Sequence, residues 1–195
     1  MKTIHPVDEF WIESKLDQEM MDYVWSQIDK AKVDRFDHKK ELVGHLTSSL
    51  ALPDVEGKLN KCVSGMAQEL HFVSQHFQKD TLQLRDRWVN FQKKYDFNPI
   101  HAHTGAISFI IWMKIPYKYE DEANTPQAKG MTERHRSGCF QLLYTTMLGR
   151  ITTHTYYLDT SYEGTIILFP SQFSHVVYPF YTSDEDRISI SGNIY

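Results

Sequence analysis

Two periods of apolar residues divide the chain. In residues 15–31, KLDQEMMDYVWSQIDKA, the residues Leu16, Met20, Tyr23, Val24 and Ile28 recur at three- and four-residue intervals, which places them on one face of a helix. A second stripe, Val55, Leu59, Cys62 or Val63, Met66, Leu70, Val73 and Phe77, predicts a long amphipathic helix over 54–79 with Asp54 as its N-cap. The charged stretch DRFDHKKELVGHLTSS between them has no such period and reads as a linker. From residue 86 the period falls to two. RWVNFQ (87–92) alternates, and AISFIIWMKI is so rich in isoleucine and aromatics that it predicts a buried central strand. CFQLLYTTM, ITTHTYYL, GTIILFP, HVVYPF and RISISGNI follow as short β-rich runs separated by turn residues. Seven or eight strands with no helical pattern between them predict an antiparallel sandwich or barrel. The insertion 117–138, YKYEDEANTPQAKGMTERHRSG, has no apolar period and reads as a mobile loop that could close over a site. The expected fold class is mainly β with N-terminal helices (α+β). It is expected as one domain over 1–195, a helical part (1–85) packing on a β core (86–195).

Composition narrows the function classes. A chain of 195 residues with 41% hydrophobic and 24% charged content can bury a core of its own. A formal charge of −4 argues against a nucleic-acid-binding role, which needs a concentrated basic face. Two cysteines, Cys62 and Cys139, make no disulfide framework and suit a reducing compartment. No apolar run approaches the roughly 18 residues that span a bilayer, and the first residues are too acidic for a secretory signal. The expectation is a cytoplasmic protein with no membrane partner.

Three histidines then stand out. His101 and His103 are two apart in NPIHAHTG, and on an extended strand residues i and i+2 share a face. His175 arrives after GTIILFPSQFS, on a strand that can lie across the barrel. Three side chains converging on one ion, with positions left open for substrate, form a common catalytic arrangement. For an isolated HxH pair, a hydrogen-bonded strand end is the commoner meaning. The third histidine and Arg187 shift that balance. In RISISGNIY the polar residues Arg187, Ser189, Ser191 and Asn193 alternate with Ile188, Ile190 and Ile194. A polar inner face makes sense if the interior holds a charged ligand and helices cover the outside. A buried guanidinium needs an anionic partner, and a small-molecule carboxylate gripped by Arg187 and Ser189 would supply one. The bland alternative is a surface arginine paired with Asp184, Glu185 or Asp186.

Taken together, WVNFQ, FNPIHAHTG-x-x-SFIIWMKIP, EGTIILFPSQFSHVVYPF and DEDRISISGNI resemble the 2-oxoglutarate/Fe(II)-dependent oxygenases of tailed phages, particularly cyanophages, and more distantly the prolyl-hydroxylase-like branch of that superfamily. The resemblance covers about residues 86–195. It implies a double-stranded β-helix (jelly roll) with helices packed on one sheet, and Fe(II), 2-oxoglutarate and O2 as reactants. The implied outcome is hydroxylation of an unactivated C–H bond with decarboxylation of 2-oxoglutarate to succinate, in a host-cell cytoplasm if the gene is a phage's. His101 and His175 match metal ligands, and Arg187 with Ser189 matches the element that anchors the distal carboxylate. The superfamily usually shows HxD where this chain has His103. Either His103 replaces the carboxylate, or His103 is the first ligand with Gly105 in the carboxylate position, or one histidine supports the other. Asn90 and Trp88 could line the cosubstrate pocket, and Tyr144 or Tyr156 could bond a carboxylate of 2-oxoglutarate. His135 and His154 are weaker candidates. The primary substrate, a protein residue or a small molecule, is not legible. The rival readings are a cupin-like metal dioxygenase without 2-oxoglutarate and a non-catalytic jelly-roll binding module.

Overall fold

A computed structural model describes residues 2, 11–38, 43–69, 82–129, 135–146 and 148–195. The first helix, α1 (Gln18–Asp34), starts where Asp17 accepts a hydrogen bond from the Met20 amide at 2.8 Å. It ends at Arg35, whose left-handed backbone (φ 53°) turns its N–H back to Ala31 O. The second, α2 (Lys58–Glu69), begins later than the apolar stripe suggests, and Val55 is 70% exposed. Asp54 still caps it, accepting from the amides of Leu59 and Asn60, and it also accepts from Tyr23 Oη at 2.6 Å, which ties α2 to α1. The expected continuation through Leu70, Val73 and Phe77, with His71 and His76, lies outside the described residues.

Among the described residues ten strands build two antiparallel sheets. They are β1 (Ile12–Lys15), β2 (Ser48–Ala51), β3 (Leu84–Gln92), β4 (Asn98–His101), β5 (Ile107–Lys114), β6 (Phe140–Thr145), β7 (Ile151–Tyr156), β8 (Thr165–Pro170), β9 (Ser174–Val177) and β10 (Arg187–Ile194). The larger sheet runs β1-β8-β5-β10-β3-β2 and the smaller β4-β9-β6-β7. This is the jelly roll that the family resemblance implies, and it fits the antiparallel sandwich or barrel predicted from the strand succession. Two of its strands were not foreseen: β1 is a short polar stretch paired with β8, and β2 lies inside the presumed linker and pairs with β3.

The pleat of the larger sheet sorts two cores. Val89, Phe91, Ile111, Leu168, Ile188 and Ile190 face outward under Val24, Ile28, Leu59 and Val63 of the helices. Ile110, Trp112, Ile167 and Phe169 face inward against Phe140, Leu142 and Val177 of the smaller sheet. The interior is therefore apolar at one end. At the other end it is polar, because there β3 and β10 turn Asn90, Gln92, Ser189 and Arg187 inward.

The insertion after β5 departs from expectation. Its described part is held down rather than free. A short helix, α3 (Tyr119–Glu122), buries Glu122 completely. That carboxylate accepts from the amides of Tyr181 and Thr182 (2.9–3.0 Å) and from Thr182 Oγ1. Tyr117, Ala128 and His135 are buried as well. The anchor is a glutamate, so the apolar pattern carried no sign of it. Both cysteines are free thiols, and burial pushes that of Cys139 up to about 12.

Candidate metal centre

His101 ends β4 directly opposite His175 of β9, so strand pairing alone brings two imidazoles face to face. His103 follows two residues later, where its backbone N–H donates to Ser171 O at 2.9 Å and holds the turn against the end of β8. One ring nitrogen from each of the three lies within 4.8 Å of the others. Ring centroids are 4.2 Å apart for His101–His175 and 5.0 Å for each pair with His103. Two nitrogens bound to one ion at about 2.1 Å are at most about 4.2 Å apart. A spacing within 4.8 Å lets all three rings face one ion.

The protonation states suit a metal. His101 Nδ1 donates to Pro99 O at 2.7 Å and His175 Nδ1 to Phe173 O at 3.2 Å, since a carbonyl can only accept. Both rings are thereby fixed as the tautomer whose Nε2 lone pair is free. Burial lowers all three pKa values: His101 moderately against its bond to Pro99 O, His103 to about 4 and His175 well below the usual value, the last two also through mutual repulsion. Neutral imidazoles are what an ion requires. Phe140 and Phe169 flank His175, and Trp88 flanks His103.

The histidines open onto a cavity of about 30 Å³, room for about two waters, lined also by Trp88, Asn90, Gln92, Asn98 and Ser189. Among the described residues no aspartate or glutamate lines it. Register explains the wall: Ser191 pairs with Trp88, Ser189 with Asn90 and Arg187 with Gln92, so alternate residues of two strands face one space. The side-chain oxygens of Asn90 and Asn98 are buried without a hydrogen-bond partner, as expected of groups that a ligand completes.

Arg187 is 1% exposed. Its guanidinium donates to Gln92 Oε1 (3.0 Å), Tyr117 Oη (2.7 Å), Gly138 O (3.2 Å) and Tyr178 O (3.1 Å) and lies over Tyr117 and Phe180. It belongs to the same polar wall but does not line the cavity; Gln92 stands between. Tyr144 does not line it either, stacking on Phe173 beside Trp11, and Tyr156 is a core residue whose Oη accepts from Trp11 Nε1. A Cβ added at Gly105 would meet Ile194 O at 2.9 Å, then Ser171 and Tyr195, with no histidine atom among its nearest neighbours. His135 stacks on Tyr119, and His154 lies tilted against Trp11; neither lines the cavity. Sequence reasoning missed Gln92, Asn98 and Tyr117. The alternation Trp88, Asn90, Gln92 would have exposed the first.

Residues 86–193 match the family model described as "Putative 2OG-Fe(II) oxygenase", and the chain belongs to the 2OG-Fe(II) oxygenase family. A comparison with curated protein sequences finds no match. Among solved structures, a prolyl-4-hydroxylase from Pseudomonas putida shares the fold with a TM-score of 0.56 at 12% identity, over 95% of this chain and 92% of that one. A prolyl hydroxylase from Trichoplax adhaerens, solved with a hypoxia inducible factor oxygen degradation domain peptide fragment, gives 0.54 at 11% identity over 95% and 83%. A 2OG-Fe(II) oxygenase family oxidoreductase from Burkholderia pseudomallei gives 0.52 at 14% over 94% and 83%. The protein is thus an oxygenase that uses Fe(II) and 2-oxoglutarate. Among the described residues no helix is long and apolar enough to cross a membrane.

Proposed function

We propose that His101, His103 and His175 hold Fe(II) as an all-histidine face and that the enzyme hydroxylates an unactivated C–H bond of its primary substrate. The observation that carries this reading is the convergence of three neutral imidazoles, two of them locked by Nδ1–H bonds with Nε2 available. The donor set fits iron, and the amide and hydroxyl groups of the described wall, Asn90, Gln92 and Ser189, fit a dianionic cosubstrate. When bound, Fe(II) and 2-oxoglutarate supply O2 activation coupled to decarboxylation to succinate. The chain's own part is to orient. The wall of Asn90, Ser189 and Gln92 aligns 2-oxoglutarate with its distal carboxylate toward Arg187, while Trp88, Phe140 and Phe169 exclude water from the histidines. Tyr144, which stacks on Phe173 beside Trp11, stands outside the lining of this cavity. The motif likeness to cyanophage enzymes supports a phage gene acting in the host cytoplasm, and the core shared by helices and sheet supports a single domain.

The test is anaerobic titration. Wild type should take up one Fe(II) and develop visible absorbance only when both Fe(II) and 2-oxoglutarate are present, and it should form succinate in air. His175→Ala should abolish all three. His103→Ala should weaken iron more than about a hundredfold, beyond the cost of losing a merely supporting partner. Iron affinity unchanged in His103→Ala would remove the all-histidine face, and no iron uptake by wild type would remove the whole reading.

A further inference from the structure

The cavity occupies one side of the histidines, and the smaller sheet shows what stands on the other. Its register sets out rows across the inner face. His101 pairs with His175, His175 with Leu142, and Leu142 with His154. One row further along, toward Gly138 and Tyr178, Phe140 pairs with Val177, and both line the cavity. One row the opposite way, Tyr144 pairs with Thr152, and Phe173 stacks on Tyr144 with 6.2 Å between centroids and 18° between planes. None of these three lines the cavity. Their row leads out to the β6–β7 hairpin, where Leu148 is 95% exposed. A primary substrate that meets the histidines from the side away from the cavity passes over this row.

The side chains there are aromatic or neutral. Tyr144 is half-buried against the aromatic core, with Trp11 5.7 Å away between centroids, and Trp11 in turn lies 4.9 Å from His154. No residue of β6, of β7 or of the turn Ser171–Phe173 carries a formal charge. Burial holds the His154 pKa below its ordinary value, against the pull of Glu13 on β1, so the ring is uncharged at neutral pH. Among the described residues Tyr144 Oη, Thr152 Oγ1 and the His154 ring nitrogens have no hydrogen-bond partner. We propose that Tyr144, Phe173, Thr152 and His154 form a shelf for the primary substrate, and that it takes a flat, uncharged aromatic ring with a hydrogen-bonding edge. The proposal rests on the histidines holding Fe(II). Flat rings stack on aromatic faces, and neutral donors and acceptors beside them favour a ring whose edge can pair with them. An anionic group would find no cation on these strands and the carboxylate of Glu13 nearby.

The probes are indole, N-acetyltryptophanamide, which carries the same ring on a peptide unit, and N-acetylprolinamide, whose ring is saturated. Binding is read from the broadening of each probe's proton NMR lines, first with metal-free protein and then anaerobically with Fe(II) and 2-oxoglutarate. The tighter-binding of the two indole probes should exceed N-acetylprolinamide by about tenfold or more, and the paramagnetic ion should broaden its ring protons further. Tighter binding of N-acetyltryptophanamide assigns the ring to a peptide, and tighter binding of indole to a free molecule. Tyr144→Leu should weaken that probe about tenfold, and Tyr144→Phe, which keeps the ring, should lose less. Thr152→Trp, which fills the shelf with a ring of the protein's own and gains a cross-strand aromatic pair with Tyr144, should weaken it about as much as Tyr144→Leu. The shelf is overturned if neither indole probe binds, if N-acetylprolinamide binds tighter, or if Tyr144→Leu and Thr152→Trp both bind like wild type. It is overturned also if Fe(II) is taken up without further broadening. A protein that takes up no Fe(II) yet binds indole through Tyr144 fails differently: it removes the metal reading and leaves the shelf.

Discussion

Individual positions carry the site because each has one job that its neighbours cannot share. His101 and His175 use Nδ1 on carbonyls two residues back, a bond made within their own strand ends, so each ring is aimed before any ion arrives. Gly192 shows the same economy in packing. An added Cβ would lie 2.4 Å from Asp86 O and 2.6 Å from Phe109 Cε1, so the glycine is what lets β10 sit flush between β3 and β5. Its backbone angle is not in the left-handed region, so the cost of a side chain is crowding alone. Gly192→Ala should destabilise the protein by about 2 kcal/mol and lower Tm by roughly 5 °C; a thermal melt by circular dichroism that matches wild type would show that the strand simply moves aside. The polar positions of β10 were legible, because strict alternation Arg187, Ser189, Ser191, Asn193 has one meaning on a strand. What Arg187 touches was not legible, because Tyr117, Gly138 and Tyr178 come from three segments that only folding brings together.

At the scale of elements, strands with apolar alternation declared themselves and those held by neighbours did not. β3, β5 and β10 coincide closely with their sequence patterns. β1 is IESK, and it is a strand because β8 offers it an edge. The insertion after β5 is the sharper case. It has the composition of a solvated loop, yet Glu122 reaches into the protein and takes three donors from Tyr181 and Thr182. That contact also braces the segment leading from Phe180 to Arg187. Glu122→Ala should strip acceptors from the amides of half-buried Tyr181 and exposed Thr182 and cost about 1 kcal/mol. It should speed hydrogen exchange at Tyr181 and Thr182, whereas Glu122→Gln, which keeps one oxygen, should lose less. Equal exchange in all three proteins would mean that the carboxylate is dispensable to the turn.

For the whole molecule, the larger sheet serves two masters. One face is a conventional core under α1 and α2; the other forms half of an interior that shifts from aromatic to polar along its length. The candidate metal site sits at the polar end, between the two sheets, and an ion held by the three histidines would bridge β4 and β9 and link them through His103 to the end of β8. Anything bound only by the folded state raises its stability by mass action. Fe(II) at about a hundredfold above its dissociation constant should add about 2.7 kcal/mol and raise Tm by roughly 5 °C or more, a strong chelator should reverse this, and His175→Ala should show no shift. A shift of the same size in His175→Ala would place the ion elsewhere.

Local pattern by itself determined the two amphipathic helices, the strands with apolar alternation, the β core and the facing of β10, and it singled out three histidines, because periodicity and i, i+2 geometry act over a few residues. Only the tertiary structure decided that His101 stands opposite His175, that Gln92 rather than Arg187 borders the cavity, and that a charged insertion is pinned by a buried glutamate. Those outcomes depend on pairing between segments from 9 to 95 residues apart, where the partner's chemistry, and not the residue's own neighbours, sets the contact.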